Sequence, residues 1–227
     1  MKKQNYNPLE LPNYAPSEAV RYFHIPFSTI ERWASGGSNA LVQVASTSPT
    51  LLSFKNLVEF YVLEGLRVEG LSMWNIRRGV ECMMNTEKIA HPLADCEIRT
   101  DGKDLWFLRG GIPINASRGG RMAFDAIVTP YLRRVARDVH GVAEKILPYT
   151  KKEQLHTKKD IPAIIEIDPR RCFGMPVLLH SRITTAFLVT RHRGGDSVST
   201  IAKSYGRPLA EVKEAIEWEL GREIKAA

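Results

Sequence analysis

Cysteine is scarce in this sequence: Cys82, Cys96 and Cys172 are the whole supply in 227 residues. Their number is odd and no two stand close together. That excludes a disulfide framework and the paired spacing of a zinc knuckle, and it points to a reducing compartment. No run approaches the roughly 18 consecutive apolar residues of a membrane span. The opening Met1-Lys2-Lys3-Gln4-Asn5-Tyr6 is basic but has no apolar stretch behind it, so no secretory leader is read there. The expected location is cytoplasmic. A catalytic constellation is lacking as well. His24, His91, His140, His156, His180 and His192 form no i, i+4 ligand pair and accompany no nucleophile motif. No acidic quartet suggests a metal nuclease. Ser117-Arg118-Gly119-Gly120-Arg121 could wrap a phosphate, but it lacks the spacing of a phosphate-binding loop. The sequence reads as a non-enzyme without cofactor or metal.

What is present is an ordinary folded composition, 44% hydrophobic and 25% charged, with enough chain to bury a core unaided. Lys and Arg total 32 against 25 Asp and Glu, giving a net charge of +7 and a pI near 9.4. Such a surplus favours a polyanionic partner, nucleic acid or a membrane surface, although a solvated basic face produces the same count.

Residues 14–36 read as two short helices. Pro16 suits a first helical position, with Ala19, Val20 and Phe23 on one face; Pro26 opens the second, with Ile30 and Trp33 inward. A tight turn, His24-Ile25, joins them in a helix-turn-helix pattern, which a helical hairpin in a plain core would share. Residues 38–52 suit a short β ribbon in the position of a wing. Ser53 and Ser72 cap two further helices, separated by Gly70. Strands are expected over 97–115, with Asp101-Gly102 as a two-residue hairpin turn and Ile112-Pro113-Ile114 as a third strand. From Phe124 the spacing of Ile127, Val128, Tyr131, Leu132, Val135 and Val139 predicts a long helix, with Pro130 as a kink or true start. Arg133, Arg134 and Arg137 then fall on its solvated face. Lys151 to Asp160 reads as a linker. Beyond it, strands at Ile164–Ile167 and Val177–Leu179 precede three helices. Thr184 or Thr185 caps the first, Asp196 the second, and Pro208 stands at the first position of the last.

Two resemblances arise from these residues. Ala19 through Phe23, Ile25-Pro26, Ser28-Thr29-Ile30, Arg32-Trp33, Leu52-Ser53-Phe54, Leu57-Val58-Glu59 and Gly70-Leu71-Ser72 resemble a winged helix-turn-helix of the MerR type. Ile167-Asp168-Pro169-Arg170, Phe173-Gly174, Pro176-Val177, Arg182-Ile183-Thr184, Gly195-Asp196-Ser197-Val198, Ile201-Ala202 and Tyr205-Gly206 resemble a small domain of VapB-type antitoxins. The chain departs from that pattern at Ser181-Arg182, where the family often has Gly-Thr. The MerR sensor's long coiled-coil helix and metal-binding cysteines are missing, so effector sensing is not implied.

The resemblance implies the antitoxin of a type II toxin–antitoxin pair. Its partners would be a PIN-type ribonuclease toxin and operator DNA, and its state a homodimer or higher hetero-oligomer. The expected fold is mainly α with small β elements (α+β): two helix-turn-helix-like modules joined by a β meander and a long helix. The expected divisions are 1–90, 91–150, a linker at 151–163, and 164–227. For DNA the candidates are Ser28, Thr29 and Arg32, with Arg21 on the backbone. For the protein partner they are Phe173, Arg182, Tyr205, Trp218 and Arg222. Charge complicates the DNA reading. From Trp33 to Phe54 there is no charged residue, and the last helix is rich in Glu, which phosphate would repel. A stand-alone MerR-like regulator and a scaffold that never touches DNA are the alternatives.

Overall fold

The computed structural model describes residues 7–35, 40–86, 88–109, 112–117, 121–122, 129–156 and 161–221. Helix α1 (Pro16–Phe23) starts at a proline, and Glu18 Oε2 accepts from the Ala15 N–H at 2.7 Å. His24, at φ 59°, ends it. Helix α2 (Phe27–Ala34) follows after Ile25 and Pro26, with Ile30 and Trp33 buried. A ribbon of β1 (Ser46–Thr47) and β2 (Thr50–Leu51) comes next. Helix α3 (Phe54–Val68) is capped by Ser53 Oγ, which accepts from the Asn56 N–H at 3.2 Å. Nearly every side of α3 is buried, so it is the spine of the molecule. Aromatic rings radiate from it: Phe60 stacks on Trp33 of α2, and Tyr61 meets Phe23 of α1 and Tyr131.

Helix α4 (Met73–Thr86) and the short α5 (Pro92–Asp95) pack against α3. Asn56 ties α3 to the loop before the ribbon, donating to the Gln43 carbonyl and accepting from the Ala45 N–H. Below it, buried Glu59 faces His91 Nδ1 at 3.2 Å, and Lys55 bridges Glu10 and Asp95. Four antiparallel strands follow in the order β3 (Ile98–Thr100), β4 (Leu105–Arg109), β5 (Ile112–Asn115), β6 (Arg121–Met122). The expected meander therefore has a fourth strand. Its first turn also differs: Thr100 pairs with Leu105, so the loop has four residues. Asp101 Oδ1 accepts from the N–H groups of Lys103 and Asp104 there, a hydrogen-bonded turn that a two-residue hairpin cannot make.

The long helix is not what residues 130–139 form; residues 123–128 lie outside the described residues. After Pro130 a 3₁₀ turn (Leu132–Arg134) leads into β7 (Val135–Arg137), which pairs with β8 (Ala143–Ile146). Val139, expected on the inner stripe, is 95% exposed. Proline cannot continue a helix, β-branched Val135 suits a strand, and Asp138 closes the hairpin by accepting from the N–H groups of His140 and Val142. The arginines are not on a solvated helix face either. Arg134 is buried and donates to the carbonyls of Leu147, Pro148 and Ile161, its guanidinium 3.9 Å from the Tyr149 ring. Arg137 donates to Leu93, Ala94 and Gly141, and burial lowers its pKa to about 10. Only Arg133 of the three is exposed.

Within the expected linker, a 3₁₀ turn (Lys152–His156) buries Leu155. The last part of the chain starts on β8: Ile146 and Ile167 exchange backbone hydrogen bonds at 3.0 and 2.9 Å. Strand β9 (Ile165–Glu166) pairs with β10 (Val177–Leu178). Helices α6 (Thr185–Arg193), α7 (Val198–Tyr205) and α8 (Leu209–Leu220) complete the chain. Thr184 caps α6. Ser197, not Asp196, caps α7, because the Asp196 carboxylate is held by Arg191 at 2.6 Å. Pro208 is the cap residue of α8 and lies just before its first turn. The protein is thus α+β and mainly helical. Among the described residues, no helix is long and apolar enough to cross a membrane.

Candidate functional site

Helix α2 separates two grooves. Thr29 and Arg32, three residues apart on one face, look toward the end of α3 and the start of α4. There Arg67 and Arg77 join Arg32 around a cavity of about 670 Å³. Phe27, Ile30, Glu31 and Ala34, on the other face, look toward the ribbon across a cavity of about 490 Å³. That second groove is mostly apolar, and Phe27 is 49% exposed at it. Ser28 is exposed on α2 and lines neither groove. Arg32 Nη2 reaches Thr29 Oγ1 at 3.5 Å, at the limit of a hydrogen bond.

Arg21 does not stand free. Its guanidinium lies 3.3 Å from Glu219 of α8 and 5.1 Å from the Tyr22 ring. Burial pushes the Tyr22 phenol above its ordinary range. Beside this contact Tyr22 stacks on Trp218, with centroids 5.1 Å apart and planes 14° from parallel. Trp218 is 3% exposed, so it packs α8 onto α1 and presents no surface to a partner. The acidic character of α8 is largely absorbed within the chain. Glu211 pairs with Arg207, Glu214 meets Thr150 and Lys151, Glu217 lies near Lys213, and Glu219 also accepts from Thr185 at 2.6 Å. Next to these, the His24 imidazole is pushed below its ordinary value, first by burial and then by the charge of Lys152.

The other residues expected to meet a partner are arranged differently. Phe173 is 84% exposed at φ 56°, while its carbonyl accepts from Asn13 Nδ2 at 2.7 Å. The next carbonyl, of Gly174, accepts from the Tyr14 hydroxyl at 3.1 Å. The backbone is pinned to the N-terminal segment, and the ring is pushed into solvent. Arg182 is exposed. Tyr205 is half-buried, edge-on to Phe187 with ring centroids 5.9 Å apart, and its hydroxyl accepts from Arg191 at 3.2 Å. Arg222 lies outside the described residues. Phe187 and Leu209 are also exposed apolar residues of this part. A helical stripe read from sequence does not reveal which edge of it the neighbouring helix covers. The meeting of Arg67 and Arg77 with Arg32 is not legible in the sequence, because the three come from separate helices.

Residues 165–218, from β9 into α8, match a family model described as a protein of unknown function (DUF433). The chain is 28% identical over 237 residues to "Putative antitoxin VapB45" of Mycobacterium tuberculosis (strain ATCC 25618 / H37Rv), covering 92% of this chain and 94% of that protein. It also superposes on the crystal structure of Rv2018 from Mycobacterium tuberculosis with a TM-score of 0.63, at 21% identity over 91% of this chain and 98% of that one. The chain therefore shares the overall fold of that structure, and nearly its whole length is similar to a protein named as a VapB antitoxin.

Proposed function

We propose that this protein is the antitoxin of a type II toxin–antitoxin pair, a non-enzymatic regulator. It binds and silences a PIN-type ribonuclease toxin and, as a dimer, represses its own promoter. The observation that carries this reading is the similarity to a named antitoxin along 92% of the chain. On this reading the N-terminal part is a MerR-like winged helix-turn-helix. Thr29 and Arg32 face the groove at α2 and Ser28 lies beside them, available to base edges and phosphates. Arg21 reaches the backbone when its pairing with Glu219 opens. The C-terminal part takes the toxin, with Phe173, Arg182 and Tyr205 at its surface and Trp218 holding it in place from within. Arg222 joins them as a proposed contact.

The test is co-expression of the tagged chain with the product of the adjacent gene, then pull-down and a ribonuclease assay on the complex. A stable complex with silenced nuclease is the expected result. Failure to form any complex would overturn the antitoxin role. The uncharged segment from Trp33 to Phe54 favours one second reading, a scaffold that does not touch DNA; a duplex that never shifts in the protein's presence would support it.

A further inference from the structure

A wing that tracks DNA places Lys or Arg against phosphates, yet the ribbon β1–β2 and its flanks carry no charge at all. If this protein grips a duplex, the cations must come from elsewhere, and several candidates among the described residues are occupied. Arg21, Arg170, Arg171, Arg191 and Arg207 each sit on a carboxylate. Arg134 is buried and Arg137 half-buried, each donating to backbone carbonyls.

The groove between α2 and α3–α4 is different. Arg32, Arg67 and Arg77 come from three separate helices to line it, and among the described lining residues Glu64 is the one carboxylate. Arg67 donates to the Leu71 carbonyl of its own turn. Arg32, Arg77 and Arg78 are held by no carboxylate among the described residues. Arg78, next on α4, lies 4.5 Å over the ring of Trp74, and that ring is 64% exposed. Gathering like charges costs Coulomb energy, and among the described lining residues one carboxylate faces three arginines, which leaves the groove with an excess of positive charge. An anion with several charges at regular spacing would offset it.

We propose that this groove, and not the ribbon, is the phosphate-binding surface for duplex DNA. Arg32, Arg67, Arg77 and Arg78 take backbone phosphates, and the Trp74 ring packs against deoxyribose. The inference rests on the DNA-binding part of the proposed function and deepens it. Continuity argues for a duplex over an acidic peptide: Thr29 and Arg32, the outer face of α2, form one wall of the same groove. A duplex held there would run from α2 toward α4 and leave the ribbon to one side.

The experiment measures binding by fluorescence anisotropy over a range of salt. One duplex carries the DNA immediately upstream of the protein's own coding sequence, and the other is a scrambled copy. The Arg77→Gln/Arg78→Gln double variant should weaken binding to both duplexes alike, by tenfold or more at fixed salt. It should also make the log–log salt slope shallower by about 1 per arginine removed. Thr47→Glu, an added negative charge on the exposed ribbon, should change affinity less than twofold. Thermal melts of each variant verify that it is folded. An unchanged slope in the folded double variant would overturn the proposal, as would a collapse of binding in Thr47→Glu. If Arg32→Ala loses DNA while the double variant keeps it, this inference fails and the DNA-binding reading survives. If the wild-type protein binds neither duplex, both fall. A double variant that keeps DNA and loses toxin capture assigns the groove to a protein partner instead.

Discussion

Gly65 shows how one missing side chain sets a packing distance. It lies inside α3, where glycine costs about 1 kcal/mol relative to alanine, so its presence calls for a reason. A Cβ there would run into the Tyr131 ring, which lies against the helix and leads on to Tyr149. Gly65→Ala gains helix propensity and still loses stability, by about 1–3 kcal/mol net, read as a lower urea midpoint. Gly174 combines two demands. Its φ is +77°, and a Cβ would collide with the Tyr14 hydroxyl that bonds its carbonyl. In neither case can the sequence name the aromatic ring that comes from elsewhere in the chain.

At the scale of elements, the join between α3 and α5 combines buried Leu93 and Ala94 with a charged pair. Glu59 is buried, and burial holds its carboxyl above the ordinary range. His91 is raised above its ordinary value of 6.5, first by its hydrogen bond to Glu59, against the opposing effect of burial. Lys55 and Asp95 are the other charges that act on the imidazole. A group whose pKa is raised on folding makes the folded state bind the extra proton. Its stabilisation is complete below pH 6.5 and is lost as pH rises through the folded value. The raised carboxyl acts in the same direction. This pair therefore lowers the urea midpoint as pH is raised from 6, while His24, whose pKa is lowered, acts in the opposite direction, so His91→Gln should remove the downward component. A midpoint with the same pH dependence in the variant would contradict the assignment. Here the sequence shows a Glu on a buried helix and a distant His, but nothing local pairs them.

Across the whole molecule, one buried cluster runs from Tyr14 to Trp218. The Tyr22–Trp218 stack, the Arg21–Glu219 pair, the Asn13 and Tyr14 bonds to the 173–174 backbone, and the Ile146–Ile167 bridge all cross from the first part of the chain to the last. Calorimetric unfolding should accordingly give a single transition, with equal calorimetric and van't Hoff enthalpies. Trp218→Ala should cost about 3–5 kcal/mol and lower that one transition. Two separated transitions in the wild-type protein would show that the parts fold independently. The same contacts place the proposed toxin-binding part directly on α1 of the proposed DNA-binding part.

What the sequence determined by itself is what a single turn of chain can encode. Pro16 starting a helix, the caps at Ser53 and Thr184, the buried stripe of Ile30 and Trp33, and the mainly helical α+β class follow from capping and from i, i+3 and i+4 spacing. A ribbon within 38–52 and strands within 97–115 were legible in the same way, but the ribbon pairs at 46–51 and not at the apolar run from Leu41 to Val44, and the first hairpin loop has four residues where two were expected. The tertiary structure alone decided the rest. It folded 130–146 into a turn and hairpin where the apolar spacing also fits a helix. It tied Arg134 and Arg137 to distant carbonyls and turned Trp218 inward onto Tyr22. It brought Arg32, Arg67 and Arg77 around one groove. Each of these depends on partners tens of residues away, and the free energy of such contacts comes from shared burial and charge, which no local pattern of residues contains.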